Sequence, residues 1–300
     1  MATPRIRLPD QLFAGPFTLE RARDLELSRG RLRGSDLVAP TRGVRRRADL
    51  DVDHLTHAQA FAMALPPDCA FSHTTAARLH GLPTPLAWAG HAEVLDVMRA
   101  DDRPRIERSG CRHHRGLGDR EVHVVAGLRV TSALDTWCDL AGRWDPAHLL
   151  AAADVLLRRR HTTGDGMRTA ASARTGRRGA ADLRAVAALA RSASASPGES
   201  VARWWFAMWG LPEPELNAAV RDEHGGWLAT SDFVWRRQRV VGEYDGDVHR
   251  TDRRTWQRDR ERRASIEDSG WAYVDMTALS FSSAPRRETL RRRLTRLLLP

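Results

Sequence analysis

Apolar residues recur at helical spacing in some stretches of this chain and at every second position in others, and the changes of period divide it. The segments HAQAFAMAL, SHTTAARLHGL, SALDTWCDLAG and AHLLAAADVLLRRR follow the helical period, whereas AEVLDVMR and EVHVVAGLRV alternate as strands. Ser72 and Ser132 stand where helix N-caps are expected. Residues 55–160 therefore read as an α+β region. Upstream, FTLERARDLEL is a helix, Ser28 can cap a second one, and VAPTRGVRRR is a basic strand. That is the outline of a winged helix-turn-helix over residues 14–50, whose second helix would set Arg29, Arg31 and Arg33 near phosphates or base edges. A basic helical hairpin packed on the rest of the chain fits the pattern equally. Residues 161–195 are rich in Gly, Ser, Ala and Arg and read as a linker around one short helix, with a domain boundary near Ser194.

The last 105 residues follow a definite order. Ser196-Pro197-Gly198-Glu199 opens a helix with proline at its first position, and Gly210 ends it. Strands are expected at ELNAAVRD, WLATSDFVW and RVVGEYD, then a helix over 252–269 and a strand at WAYVDM. The order is αβββαβ, the last strand added in parallel across the crossover helix, and the fold class is mixed α/β. If the second turn centres on Arg237 and Gln238, Asp232 lies directly across from Glu243, and Asp245 shares the face of Glu243. Three carboxylates on one face repel unless a cation joins them. Metal-dependent nucleases hold Mg²⁺ against a phosphodiester in this manner. A slip of one residue would turn Asp232 to the other face.

Composition narrows the partners. The net charge of +10 comes entirely from arginine, since the sequence contains no lysine. An anionic partner follows, with DNA ahead of a membrane surface, although arginine can also simply solvate helix faces. No stretch of about 18 apolar residues occurs and the N-terminus lacks a signal-peptide core, so a cytoplasmic protein with no membrane partner is expected. Cys69, Cys111 and Cys138 suit buried thiols better than disulfides, and Cys111, His113 and His114 lack the second ligand pair of a zinc finger. His73 and His80, among alanines and leucines, suit structural roles.

The residues EYDGDVHRTDRRTWQRDRERR, together with Asp232 on the preceding strand, resemble the PD-(D/E)XK nuclease superfamily. The nearer likeness is to very-short-patch-repair (Vsr) endonuclease-like domains of actinobacteria, and it covers about residues 196–300. FTLERARDLELSRGRLRG, FSHTTAARLHGLP and TSALDTWCDLA resemble the AbiEi-type antitoxin-like region. The resemblance implies a restriction-endonuclease-like domain that binds Mg²⁺ or Mn²⁺ through Asp232 and Glu243, with the Asp245 carboxylate or the Tyr244 carbonyl completing the shell. It makes Glu199 the acid on the first helix and His249 a general base or water-positioning group. It also implies that Asp259 orients His249 or Arg263.

Each of these residues has a plainer alternative. Glu199 could complete a capping box with Ser196, and Asp245-Gly246 could form a turn. His249 could be a structural histidine, and Asp259 could pair on a solvated face. The departure from the family is Asp245, which stands where the motif carries lysine; His249, Arg250 or Arg253 could supply part of the missing charge, and the last two would also face DNA. Two readings follow: a Mg²⁺-dependent DNA endonuclease, working as a homodimer if it cuts both strands, or an inactive DNA-binding regulator with a toxin-antitoxin-type partner.

Overall fold

The computed structural model describes residues 7–85, 94–246 and 253–299, and over 253–259 the backbone alone. Two compact units divide the chain, Met1–Leu140 and Ala141–Pro300. The fold is mixed α/β, with eleven α-helices and three sheets among the described residues. None of those helices is long and apolar enough to cross a membrane.

In the first unit β1 (Phe17–Thr18), α1 (Leu19–Asp24), β2 (Leu37–Val38) and β3 (Val44–Arg47) form a small motif whose sheet order is β1-β3-β2. The expected second helix is only a 3₁₀ turn, Arg31–Arg33, although Ser28 Oγ does accept the Arg31 N–H at 3.1 Å. Gly30 and Gly34 flank that turn, and each disfavours extending it. Arg31 is no candidate for DNA: it is 7% exposed, and its guanidinium grips Asp36 with hydrogen bonds of 2.6 and 3.0 Å. Arg29 and Arg33 are exposed.

The unit continues through α2 (His54–Ala62), β4 (Ala70–Phe71), α3 (His73–Leu79), β5 (Leu95–Arg99), β6 (Cys111–Arg115), β7 (Val122–Val125), β8 (Leu128–Thr131) and α4 (Ala133–Leu140). Its five strands run β6-β5-β4-β8-β7. EVHVVAGLRV is two strands, because Ala126 and Gly127 both take positive φ (48° and 80°) and reverse the chain in a two-residue hairpin turn.

The second unit comprises α5 (Pro146–Arg158), α6 (Gly164–Ala173), α7 (Ala180–Leu189), α8 (Pro197–Met208), β9 (Glu215–Arg221), β10 (Trp227–Trp235), β11 (Val240–Asp245), α9 (Arg253–Asp268), β12 (Ala272–Thr277), α10 (Ala278–Phe281) and α11 (Ala284–Leu298). The linker expected over 161–195 is instead two helices, and the boundary lies some fifty residues before Ser194. The reason is a buried ion pair. Asp154 on α5 and Arg203 on α8 are 1% and 5% exposed and meet at 2.7 Å, and the carboxylate also accepts from Ser200 Oγ and the Arg191 N–H at 2.7 Å each. Such a pair fixes α5 against α8, because either charge left alone in the core would be costly.

The order expected over 196–300 is present as α8, β9, β10, β11, α9, β12, with α10 and α11 added after it. Sheet order is β12-β11-β10-β9, and β11 pairs with β12 in parallel. Phe233 faces Gly242, Val234 faces Val241 and Trp235 faces Val240, which continues to Asp232 level with Glu243, as the turn position required. Alternate residues face two cores. Phe233, Trp235, Val240, Val274 and Met276 pack with Phe206 of α8 and Leu290 and Leu294 of α11. Val220, Val234 and Val241 pack with Ile266 of α9.

Candidate functional site

The acids gather where β10 and β11 stop pairing regularly. Asp232 does not stand free on a sheet face: its Oδ2 accepts the backbone N–H of Tyr244 at 2.7 Å, drawing the carboxylate into the seam between the strands. Burial raises its pKa to about 6 against the pull of that hydrogen bond, and the charges of Glu243 and then Glu199 raise it further. Burial likewise raises Glu243, whose side chain is 14% exposed. Two carboxylates that are both hard to ionise, side by side, constitute an electrostatic debt that a cation would offset.

Glu243 carries a second sign of an unmet partner. Its Oε1 is buried and meets no hydrogen-bond partner among the described residues. The Ser231 side chain and the Asp232 backbone N–H favour its ionised form against that burial, so Ser231 belongs to the same locus. The nearest cation is Arg262 of α9, with Nη1 3.6 Å from Glu243 Oε1, too far for a hydrogen bond. Arg262 lies one helical turn before Ile266, so the stripe that anchors α9 in the core also brings this arginine over Glu243.

Glu199 enters from α8. It is 4% exposed, and its Oε2 accepts the Ala195 N–H at 2.8 Å and Asn217 Nδ2 at 3.2 Å. Ser196 Oγ accepts the Glu199 N–H, so the capping role is real, but the carboxylate reaches back to Ala195 and across to β9. Asn217, in left-handed backbone (φ 47°), lies where continuing the β9–β10 register faces Asp232. Asparagine tolerates that conformation better than most residues. Tyr244 is set by Gly198, since a Cβ there would stand 2.0 Å from the tyrosine ring. The helix start carrying Glu199 thus packs on the residue whose N–H holds Asp232.

Of the residues expected from sequence, Asp232 and Glu243 are brought together, and the charge of Glu199 reaches Asp232. Asp245 is half-buried on β11 beside Thr277 of β12, in the strand rather than in a turn, and the carboxylates acting most strongly on Asp232 are Glu243 and Glu199. His249 and Arg250 lie outside the described residues, and Arg253 and Asp259 fall where only the backbone is described. Arg263 pairs with Glu267 at 3.1 Å and Asp275 at 3.4 Å and stacks over Tyr273. Sequence reading missed Asn217, Ser231 and Arg262. Only the spacing of Arg262 to Ile266 could have signalled one of them. Trp204 is buried, and Trp205 and Trp209 pack against the core.

In the first unit the suspected Cys111-His113-His114 cluster comes apart on β6. His114 Nε2 is engaged by Asp96 at 2.8 Å and its ring stacks on His73 at 3.8 Å, while Cys111 packs against the apolar core. His80 Nε2 is held by the Thr131 carbonyl at 2.8 Å. These contacts hold the His80 and His114 rings in place within the first unit.

Among the described residues no three of His, Cys, Asp and Glu stand close enough to hold an ion between them. Magnesium needs less: it keeps several waters and is bound by one or two carboxylates plus substrate phosphate. Asp232 and Glu243 offer a buried carboxylate pair of that chemistry, and the Glu243 Oε1 without a hydrogen-bond partner is the observation that bears on it.

No family model matches the chain. Uncharacterized proteins from two strains of Mycobacterium tuberculosis are each 29% identical to it over 213 residues, which is 71% of this chain and 76% of theirs.

Proposed function

We propose that residues 196–300 form a Mg²⁺-dependent endonuclease domain of restriction-endonuclease-like, Vsr-like type that hydrolyses phosphodiester bonds in DNA. The observation that carries this reading is the buried pair Asp232 and Glu243, both held toward the neutral form, with one carboxylate oxygen unsatisfied. The αβββαβ order and the resemblance of the EYDGDVH segment support it.

When bound, the ion would supply charge to the phosphoryl oxygens and lower the pKa of a coordinated water. The protein's part is positioning. Tyr244 N–H fixes one Asp232 oxygen, so that Asp232 with Glu243 would hold the ion; Asn217 and the Ala195 N–H fix Glu199, whose charge reaches Asp232. In the reaction the water oxygen bonds to phosphorus, the bond to the leaving sugar oxygen breaks, and that oxygen takes up a proton from solvent as the attacking water gives one up. His249 is the candidate base.

A second reading is favoured by the missing lysine: a DNA-binding, antitoxin-like regulator on an inactive nuclease scaffold. The AbiEi-like resemblance of the first unit belongs to both. Incubating the chain with supercoiled, linear and single-stranded DNA in Mg²⁺ or Mn²⁺ separates them. Cleavage abolished by EDTA and by Asp232→Ala with Glu243→Ala supports the nuclease. Salt-sensitive binding without cleavage, equal in wild type and variant, supports the regulator.

A further inference from the structure

We propose that Arg262 is the cationic group that contacts the reacting phosphate in this site, taking from a helix the place that a strand lysine would fill. The inference rests on the nuclease reading above and goes further by naming a residue that the strand motif does not contain. The position two residues after Glu243 is Asp245, and with no lysine in the chain any positive side chain must be arginine or histidine. Among the described residues Arg262 is the cation closest to the acidic pair: it lies 3.6 Å from Glu243 and its charge acts on Asp232, Glu243 and Tyr273 alike.

Three features suit it to phosphate rather than to Glu243 alone. The contact with Glu243 is an ion pair without a hydrogen bond, so the guanidinium is attracted but not locked. Its side chain is 37% exposed, against 14% for Glu243, so it spans from the buried acid to open solvent, where a substrate must arrive. Its five N–H donors form a planar fork that matches two phosphoryl oxygens at once. Arginine stays protonated, so it cannot take the water's proton. Its part is limited to charge and N–H donation toward the phosphoryl oxygens as negative charge builds there, which leaves proton removal to another group. Ile266 fixes the helix one turn away, so the guanidinium is positioned by the core and not by the substrate.

The test is kinetic with a chemical complement. Arg262→Ala is expected to lower kcat by roughly 10²–10³-fold, as loss of one preorganised donor does, with KM and Mn²⁺ affinity little changed. Added guanidinium ion should restore part of the lost rate, and Arg262→Lys should retain more activity than Arg262→Ala. If wild type cleaves and Arg262→Ala cleaves equally well, Arg262 is only a partner of Glu243 and the inference fails while the nuclease reading stands. Loss of Mn²⁺ binding together with activity, without guanidinium rescue, assigns Arg262 to holding Glu243 and also overturns it. Absence of cleavage by wild type in any divalent cation removes the nuclease reading and this inference with it.

Discussion

Asp232 condenses the chemistry of the site into one side chain. Its pKa of about 6 lies above the ordinary carboxylate range because burial outweighs the Tyr244 N–H, with Glu243 and Glu199 adding to the effect. The folded state therefore holds this proton more tightly than the unfolded chain does. The stability that follows is complete below about pH 4 and is lost as pH rises through about 6. Asp232→Asn, which can still accept from Tyr244, is expected to melt at the same temperature as wild type near pH 4 and several degrees higher at pH 7.5. Thermal melts at the two pH values measure this, and a variant less stable than wild type at pH 7.5 would show that the carboxylate is not strained. In sequence, Glu243 stands out because a charge after the apolar run VVG needs a partner, and Asp232 because the turn position sets it opposite Glu243. Asn217 and Ser231 were not, since a short polar residue in a strand gives no sign of which backbone or carboxylate it will meet.

At the scale of elements the site depends on one register, the start of α8 and the face of α9 that carries Arg262. The register was readable because the tight turn at Arg236–Gln238 leaves the strands a single way to pair. What could not be read was the support from outside that hairpin. Arg203 meets Asp154 across 49 residues of chain, and local composition made the segment between them look like a linker. Its Gly, Ser and Ala content suits a flexible connection in isolation, yet buried alanines line α5 and α7 where those helices pack together, with the ion pair holding α5 to α8. Asp154→Ala should cost about 3–5 kcal/mol by leaving Arg203 buried and unpaired. Replacing both residues by leucine and methionine should recover most of that. Urea unfolding of the single and double variants tests the idea, and a single variant as stable as wild type would mean that the helices hold α8 without the pair.

For the whole molecule the dominant quantity is the charge of +10, carried by arginine. Under the proposed function, DNA binding by a chain of this charge is expected to be salt-dependent, releasing about one counterion for each phosphate neutralised. Exposed Arg29 and Arg33 of the first unit are the residues to test. Replacing both with alanine is expected to reduce the slope of log affinity against log salt by about 2, as measured by fluorescence anisotropy. An unchanged slope would place the DNA contacts elsewhere and leave the small β1–β3 motif with a packing role. Overall charge was evident from composition, whereas its distribution was not, as Arg31 shows by turning inward to Asp36.

Central to the proposed function is a divalent cation held by Asp232 and Glu243. Calorimetric titration of Mn²⁺ into the full chain at pH 7.5, beside Asp232→Asn and Glu243→Gln, tests it most directly. One site per chain in wild type, lost in each variant and weakened as pH falls through about 6, is the predicted result. No binding by wild type, or binding that survives both substitutions, would contradict it.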